Sequence, residues 1–351
     1  MNTLSEKLLT WYNLNKRDLP WRHTSDPYAI LVSEIMLQQT RVDTVISYYH
    51  RFLERFPTAA SLAQAEEDEV LNLWKGLGYY SRARNLHKAA KEICTNYQGI
   101  FPADFERVRK LPGVGDYTAG AIMSIAFNQP FPAVDGNVLR VIARIFGIEG
   151  DITLPESKKE ISGIVTELIP ADHAGDFTQT LMELGATVCT PNTPLCEKCP
   201  VSPNCTAYLD QKTELLPVKQ KKEKPHAQSF YALILVHDQH LLMTRNHPGT
   251  LLKNLWGVPL IEKTEMTELP CDDLQKQILN QTGVTAQAAF QSMGKIKHVF
   301  THRIWEMEIL VCPHCSEHVP NTEFHWISFE ALRDLPIPTA FMKLLKATGL
   351  A

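Results

Sequence analysis

From Leu4 to about Leu209 apolar residues recur at spacings of three and four, the signature of helices that each bury one face. Asp26 before Pro27 reads as an N-cap followed by a first-turn proline, and Ile30, Leu31, Ile35 and Leu37 then share one side of the helix that begins there. The same period predicts helices over Ala63–Trp74, Ser81–Tyr97, Tyr117–Phe127, Gly136–Phe146, Ser157–Ile169 and Gly175–Gly185, parted by loops marked with Pro, Gly and Asp, and no strand. Leu216–Pro225 is proline-bounded and lysine-rich with no apolar face, so it reads as an exposed linker whose lysines are either solvated or in reach of phosphates. After Ser229 the pattern changes to strands. Phe230–Val236 and Leu241–Arg245 form a hairpin pair, and His298–Val311 alternates as one long strand. A helix over Asp272–Thr282, ended by Gly283, and a last one over Thr339–Ala347 complete an α+β region.

A chain of 351 residues, at roughly 150 per domain, holds two domains. The expected boundaries are 1–210 for the helical domain, 211–228 for the linker and 229–351 for the α+β domain. The longest apolar run, Phe230–Val236, is far short of the ~20 residues that span a bilayer, and Glu6 and Lys7 interrupt the start where a secretory signal would be apolar. No membrane contact is expected, and the expected compartment is the cytoplasm, beside the nucleoid of a bacterial-type cell. The formal net charge of −4 means that any nucleic-acid binding must come from local charge and local geometry. Of the eight cysteines, four crowd into one short segment, which points to a reducing compartment and a metal rather than a disulfide framework.

Those four, Cys189, Cys196, Cys199 and Cys205, can close a tetrahedral thiolate site suited to zinc or to an iron–sulfur cluster. Leu111-Pro-Gly-Val-Gly115 places two glycines between helices, either as a plain turn or as a phosphate clamp made of bare N–H groups at a helix N-terminus. Asp135 heads another helix as an N-cap, and can also stand as a carboxylate at the mouth of a cleft. Glu34 lies three or four residues from Ile30, Leu31 and Leu37, on an apolar face. It is either a salt-bridged structural residue or a buried acid whose pKa is raised toward neutrality.

Pro20-Trp-Arg22, Ser33-Glu-Ile-Met-Leu-Gln-Gln-Thr40, Gly76-Leu-Gly-Tyr-Tyr80, the glycine hairpin, Val134-Asp-Gly-Asn-Val138, Met182-Glu-Leu-Gly-Ala186 and the four cysteines occur in this order over nearly the whole chain. Together they resemble the helix-hairpin-helix DNA glycosylases, and more narrowly the MutY-type adenine DNA glycosylases. The resemblance implies a multidomain protein, with an all-α helix-hairpin-helix glycosylase domain carrying a [4Fe-4S] cluster loop at 189–205, followed by an α+β Nudix-like domain. It implies base excision repair by a monomer acting on duplex DNA, with hydrolysis of the N-glycosidic bond of adenine opposite 8-oxoguanine or guanine.

On this resemblance Glu34 is the general acid and Asp135 stabilises the oxocarbenium-like sugar, with Asn137 and Tyr117 positioning these groups. Trp21, Arg22, Leu37 and Gln179 surround the adenine. Gln39 and Tyr79 fill or wedge the base stack beside Thr40, Leu77 and Gly78, and the amides of Gly113, Val114 and Gly115 hold the strained backbone of an extruded nucleotide. Phe300, Thr301 and His302 match a motif for recognising 8-oxoguanine, with threonine where serine is commoner. The related endonuclease III type uses a lysine in the hairpin; Tyr117 stands there and has no amine for a Schiff base, and Leu139 follows the Asp135 motif where some relatives carry lysine. Residues 272–278 lack the acid set with which a Nudix hydrolase holds magnesium, so the second domain is expected to read rather than hydrolyse. Cys312 and Cys315, with His318 nearby, are expected in a surface loop rather than at a zinc ion.

Overall fold

A computed structural model describes residues 3–220, 225–245, 247, 252, 254–263, 271–317 and 321–350. The chain divides into two compact units, Met1–Val70 with Ser81–Lys221, and Leu71–Tyr80 with Lys222–Ala351. The short segment 71–80 therefore groups with the C-terminal unit although it is embedded in helical sequence.

The first unit is built from α1 (Leu4–Asn15), α2 (Pro27–Leu37), α3 (Val42–Arg55), α4 (Ala59–Ala63), α5 (Glu67–Leu73, which runs into the segment grouped elsewhere) and α6 (Ser81–Tyr97). It continues through α7 (Phe105–Arg109), α8 (Asp116–Phe127), α9 (Gly136–Phe146), α10 (Pro155–Leu168), α11 (Ala174–Thr187) and α12 (Thr206–Leu209). The helix expected over Ala63–Trp74 is the shorter α5, which starts only at its acidic first turn; Ala63 instead ends α4, which Thr58 caps through a reciprocal bond with Ser61. As expected, the Asp26 side chain accepts from Tyr28 N at 3.0 Å to open α2. Tyr28 through Met36 are all buried, so α2 has no solvated side and its one carboxylate has nowhere wet to turn. α2 packs on α8, and both α8 and α9 pack on α11. Gly185 is required there, because a Cβ would lie 2.6 Å from that of Asn137.

Leu216–Gln220 is not a free linker. Leu216 is buried, its carbonyl accepts from Arg144 Nε at 2.8 Å, Val218 O accepts from Ile152 N at 3.1 Å, and Gln220 N donates to Asp151 Oδ2 at 3.2 Å. Lysines 221, 222 and 224 lie outside the described residues.

The second unit is a mixed six-stranded sheet: β1 (His226–His237), β2 (His240–Thr244), β3 (Leu260–Glu262), β4 (Gln291–Val299), β5 (Arg303–Cys312) and β6 (Phe324–Ser328), ordered β4-β5-β1-β2-β6 with β3 also on β1. β1 starts at His226, inside the stretch expected to be linker, and pairs there in parallel with Arg303 on β5. Phe230–Leu235 is buried without alternation because β1 is central and covered on both faces. On one face Tyr231, Leu233 and Leu235 meet Leu274 and Ile278 of α13 (Cys271–Thr282); on the other Phe230 and Trp305 reach Phe341 of α14 (Thr339–Ala347). The long strand expected over His298–Val311 is a hairpin: Phe300 N bonds Arg303 O at 2.8 Å, and Phe300-Thr301-His302 is the turn joining β4 to β5. Val299 faces Ile304 and His298 faces Trp305, odd separations that reverse the phase of the alternation at the turn, and no Gly, Pro, Asn or Asp marks the reversal in the sequence.

Candidate active site

The N-terminus of α8, the N-cap of α9 and one side of α2 and α11 enclose a cavity of 380 Å³ in the first unit. Glu34 enters it from α2 and is only 5% exposed. Tyr117, in the first turn of α8, donates its hydroxyl to Glu34 Oε2 at 2.7 Å. Burial pushes the Glu34 carboxyl up to about 7; the phenol bond pulls it down and the charge of Asp135 pushes it further up. Glu34 is therefore an acid poised to exchange its proton near neutral pH, and among the described residues no cation pairs with it in a salt bridge.

Asp135 is both things the sequence left open. It is the N-cap of α9, accepting from Asn137 N and Val138 N at 2.8 Å each, and it lines the same cavity. Burial raises its pKa, against the two amides, the Asn137 side chain and Arg140. Asn137 Nδ2 donates to Asp135 Oδ2 at 2.8 Å and its Oδ1 accepts from Arg140 Nη2 at 2.8 Å. Arg140 also donates to the carbonyls of Gly185 and Cys189, so the carboxylate is held by a chain of groups running along α9.

Trp21, Arg22, Leu37, Gln39, Thr40 and Gln179 also line the cavity. Trp21 is held edge-on to Tyr49 at 5.5 Å, which fixes its ring plane. Arg22 is spent locally: it donates to Arg17 O at 2.7 Å and to Glu183 Oε2 at 2.6 Å. Glu183, which no cap or period in the sequence singles out, is fully buried on α11 and takes a two-pronged bond from Arg17 at 2.8 and 2.9 Å as well. Burial alone would raise its pKa, but these guanidinium bonds and the Arg17 amide bring it down to about 2. The cavity thus has an acid poised near neutrality on one side and a fixed ion cluster on the other. A lone acid between the apolar Leu181 and Leu184 was the available signal.

The glycine turn joins α7 to α8. Gly113 has φ +80 and would place a Cβ 2.7 Å from that of Asn85, so only glycine fits. Nothing lies within 4 Å of a Cβ at Gly115, which leaves the turn open on that side. Val114 N–H is taken by Leu111 O at 3.0 Å, so this amide serves the turn itself. Leu77, Gly78 and Tyr79 are not brought to this cavity's lining; they belong to the second unit, in a loop with φ of +104, +71 and +49 at Gly76, Gly78 and Tyr79.

Cys189, Cys196, Cys199 and Cys205 line one small cavity with Arg144. Arg144 Nη1 donates to Cys189 Sγ at 3.4 Å and to Thr190 O at 2.7 Å, while Nη2 and Nε hold the carbonyls of Pro191 and Leu216. Burial pushes the Cys199 thiol up to about 11, and the charges of the other three cysteines push in the same direction. Four thiols that line one cavity ionise together only around a strongly cationic group. Among the described residues no three His, Cys, Asp or Glu side chains close on a point as a single ion requires. As a donor set, four thiolates fit a soft-metal group, zinc or an iron–sulfur cluster.

Residues 32–170 match the model of the HhH-GPD superfamily of base excision DNA repair proteins, and residues 230–347 match a Nudix domain model. The adenine DNA glycosylase of Buchnera aphidicola subsp. Acyrthosiphon pisum is 33% identical over 97% of this chain and 96% of its own length. The chain belongs to the adenine DNA glycosylase family. The human adenine DNA glycosylase is 35% identical, over 84% of this chain and 64% of that protein. A solved thermostable thymine-DNA glycosylase is 35% identical with a TM-score of 0.55, over 59% of this chain and 95% of that one. An endonuclease III–DNA complex, at 23% identity and a TM-score of 0.50, shares the fold of the helical part.

Within this glycosylase family chain, the motif at Phe300, Thr301 and His302 forms the β4–β5 turn of the second unit, with Thr301 and His302 exposed. The Thr301 hydroxyl hydrogen-bonds that of Tyr79, in the segment grouped with this unit. Phe300 packs edge-on against Trp305 at 5.0 Å, which anchors the turn. Cys312 and Cys315 are not in a surface loop: they are 0% and 1% exposed in the core against α13. Cys312 Sγ donates to Ala288 O and His314 O; His318 lies outside the described residues. No helix among the described residues is long and apolar enough to cross a membrane.

Proposed function

We propose that this glycosylase excises adenine paired with 8-oxoguanine or guanine in duplex DNA, with Glu34 as general acid and Asp135 as the electrostatic partner of the sugar. The observation that carries the reading is the Glu34–Tyr117 pair: a carboxyl held near pKa 7 in a cavity that also receives Asp135. Adenine leaves a deoxyribose slowly as an anion and far more readily once N7 is protonated, and Glu34 supplies that proton. As the C1′–N9 bond breaks, its electron pair goes to the base and positive charge develops on the sugar, where the Asp135 carboxylate opposes it. Water then adds to C1′ and loses its proton, leaving an abasic site and free adenine. Tyr117 stands where a lyase would carry its lysine and has no amine for a Schiff base, so the strand is left uncut.

Tyr117 and Asn137 position the two acids through the bonds already described. Trp21, Leu37 and Gln179 line the walls for the base, with Arg22 held in place by Glu183. Gln39, Thr40 and the hairpin residues Gly113 and Gly115 would hold the distorted strand, and Tyr79 with Leu77 and Gly78 the opposite partner's side. Phe300, Thr301 and His302 would read 8-oxoguanine. The cysteines would carry a [4Fe-4S] cluster that folds a proline-rich loop otherwise short of apolar material, and the chain would act as a cytoplasmic monomer. The helical domain would end near 210 and the reader begin near 229.

Single-turnover excision on duplexes carrying adenine opposite 8-oxoguanine, guanine or thymine, with alkali revealing abasic sites, tests the reading. Excision ordered in that way supports it; strand cleavage without alkali, or equal rates on all three, overturns it.

A further inference from the structure

We infer that Arg82 is a positioning residue that fixes Gln39 in its working conformation, so that extrusion of the target nucleotide depends on a buried guanidinium that does not line the cavity. This rests on the reading of Gln39 as the side chain that enters the stack.

Arg82 lies in the first turn of α6 and is 8% exposed. Its Nη1 donates to Ile35 O at 3.0 Å, to Met36 O at 2.8 Å and to Gln38 O, and its Nη2 donates to Thr40 Oγ1 at 3.0 Å. The first two acceptors are carbonyls of the last turn of α2, which have no partner within that helix. A cation at a helix C-terminus is favoured by the helix dipole, and this accounts for part of the arrangement.

Capping does not account for the other two bonds. Gln38 and Thr40 flank Gln39 on either side, and Gln39 has φ +59, a left-handed conformation that residues other than glycine adopt rarely. Such a conformation persists only where the surroundings over-determine it, and one planar guanidinium holding both neighbours does so. The same plane is anchored to the turn that follows Glu34, so the acid and Gln39 share one support. A lysine is a point charge and cannot hold this spread of acceptors together.

The test uses the full-length protein with its cysteine site loaded. Single-turnover excision is measured for wild type, Arg82→Met, Arg82→Lys, Gln39→Ala and the double variant Arg82→Met/Gln39→Ala, on two duplexes. One pairs adenine with 8-oxoguanine; the other sets adenine opposite an abasic site, where less stacking and pairing must be undone. A misplaced positioning group costs up to about a hundredfold, so Arg82→Met should lose on the order of that factor on the paired duplex and only a few-fold on the abasic one. Arg82→Lys should fall between, and a 2-aminopurine beside the target should show the same order of lost unstacking. The double variant should lose no more than the worse single one. If both Arg82 variants lose equally on both duplexes, or neither loses on either while Gln39→Ala does, the guanidinium is only structural and the inference is wrong. If Gln39→Ala itself retains full excision on the paired duplex, the reading of Gln39 falls and this inference with it.

Discussion

The Tyr117 hydroxyl donates to Glu34 Oε2 at 2.7 Å, joining residues 83 positions apart in the chain. The bond does two opposed things. It holds the carboxyl in one orientation, and by favouring the ionised form it keeps the pKa from climbing as far as burial alone would take it. An acid that must both give up a proton and regain it is best placed near the working pH.

Replacing Tyr117 with Phe should therefore shift the pH profile in a defined direction. Losing the hydrogen bond raises the Glu34 pKa, so the alkaline limb of single-turnover excision, near pH 7 in the wild type, moves upward. The rate at its maximum should fall moderately because the carboxyl is less well oriented. A limb that moves downward would contradict the assignment.

Glu34→Gln should bind duplex with wild-type affinity and excise almost nothing. It should also be more stable than wild type at neutral pH. A carboxyl raised from its ordinary value near 4.5 to about 7 costs stability as pH rises through that window, and the full cost persists above it. The amide carries no such cost, so denaturant unfolding at pH 8 should show a gain of about 1–3 kcal/mol that vanishes near pH 4.

Glu183→Gln removes the anion between Arg17 and Arg22. Breaking one side of a buried pair leaves charge uncompensated, so unfolding free energy should drop by roughly 3–5 kcal/mol. Because the native pKa lies below the unfolded value, the wild-type advantage is complete above about pH 4.5 and fades as pH falls toward 2. The excision rate should fall as Arg22 swings free of its place in the cavity wall.

Iron analysis and absorbance near ~400 nm test the cysteine site. Cys199→Ala should lose most of the iron and much of the soluble yield. It should also weaken DNA affinity, since the loop and the Arg140 bonds to Cys189 are part of the same support. Zinc at one ion per chain, in a colourless and fully active protein, would refute the cluster.

Thr301→Val keeps the shape of the β4–β5 turn and removes its hydroxyl. One neutral hydrogen bond is worth on the order of 1 kcal/mol, so the ratio of excision rates for 8-oxoguanine over guanine partners should drop about fivefold. An unchanged ratio would move the reading of the lesion elsewhere.

Elements whose causes are local are legible in the sequence. Asp26 and Asp135 cap helices because their carboxylates reach amides two or three residues ahead, and α13 and α14 begin and end within a residue of their expected limits. Cysteine spacing marked one cavity, and the ordered motifs marked the family. What packs around an element is set by residues far away in the chain, and there the sequence fell short. Periodicity gave Glu34 an apolar face, but only tertiary packing buries α2 on every side and so sets the acid's proton affinity. Glu183 looks like any mid-helix glutamate until Arg17 and Arg22 close on it across more than 160 residues. The turn at Thr301 reverses the phase of the alternation but carries no Gly, Pro, Asn or Asp to mark it, and the burial of Cys312 and Cys315 follows from α13 covering that face of the sheet. Caps and periods act over a few residues, whereas desolvation and charge pairing are properties of the assembled interior.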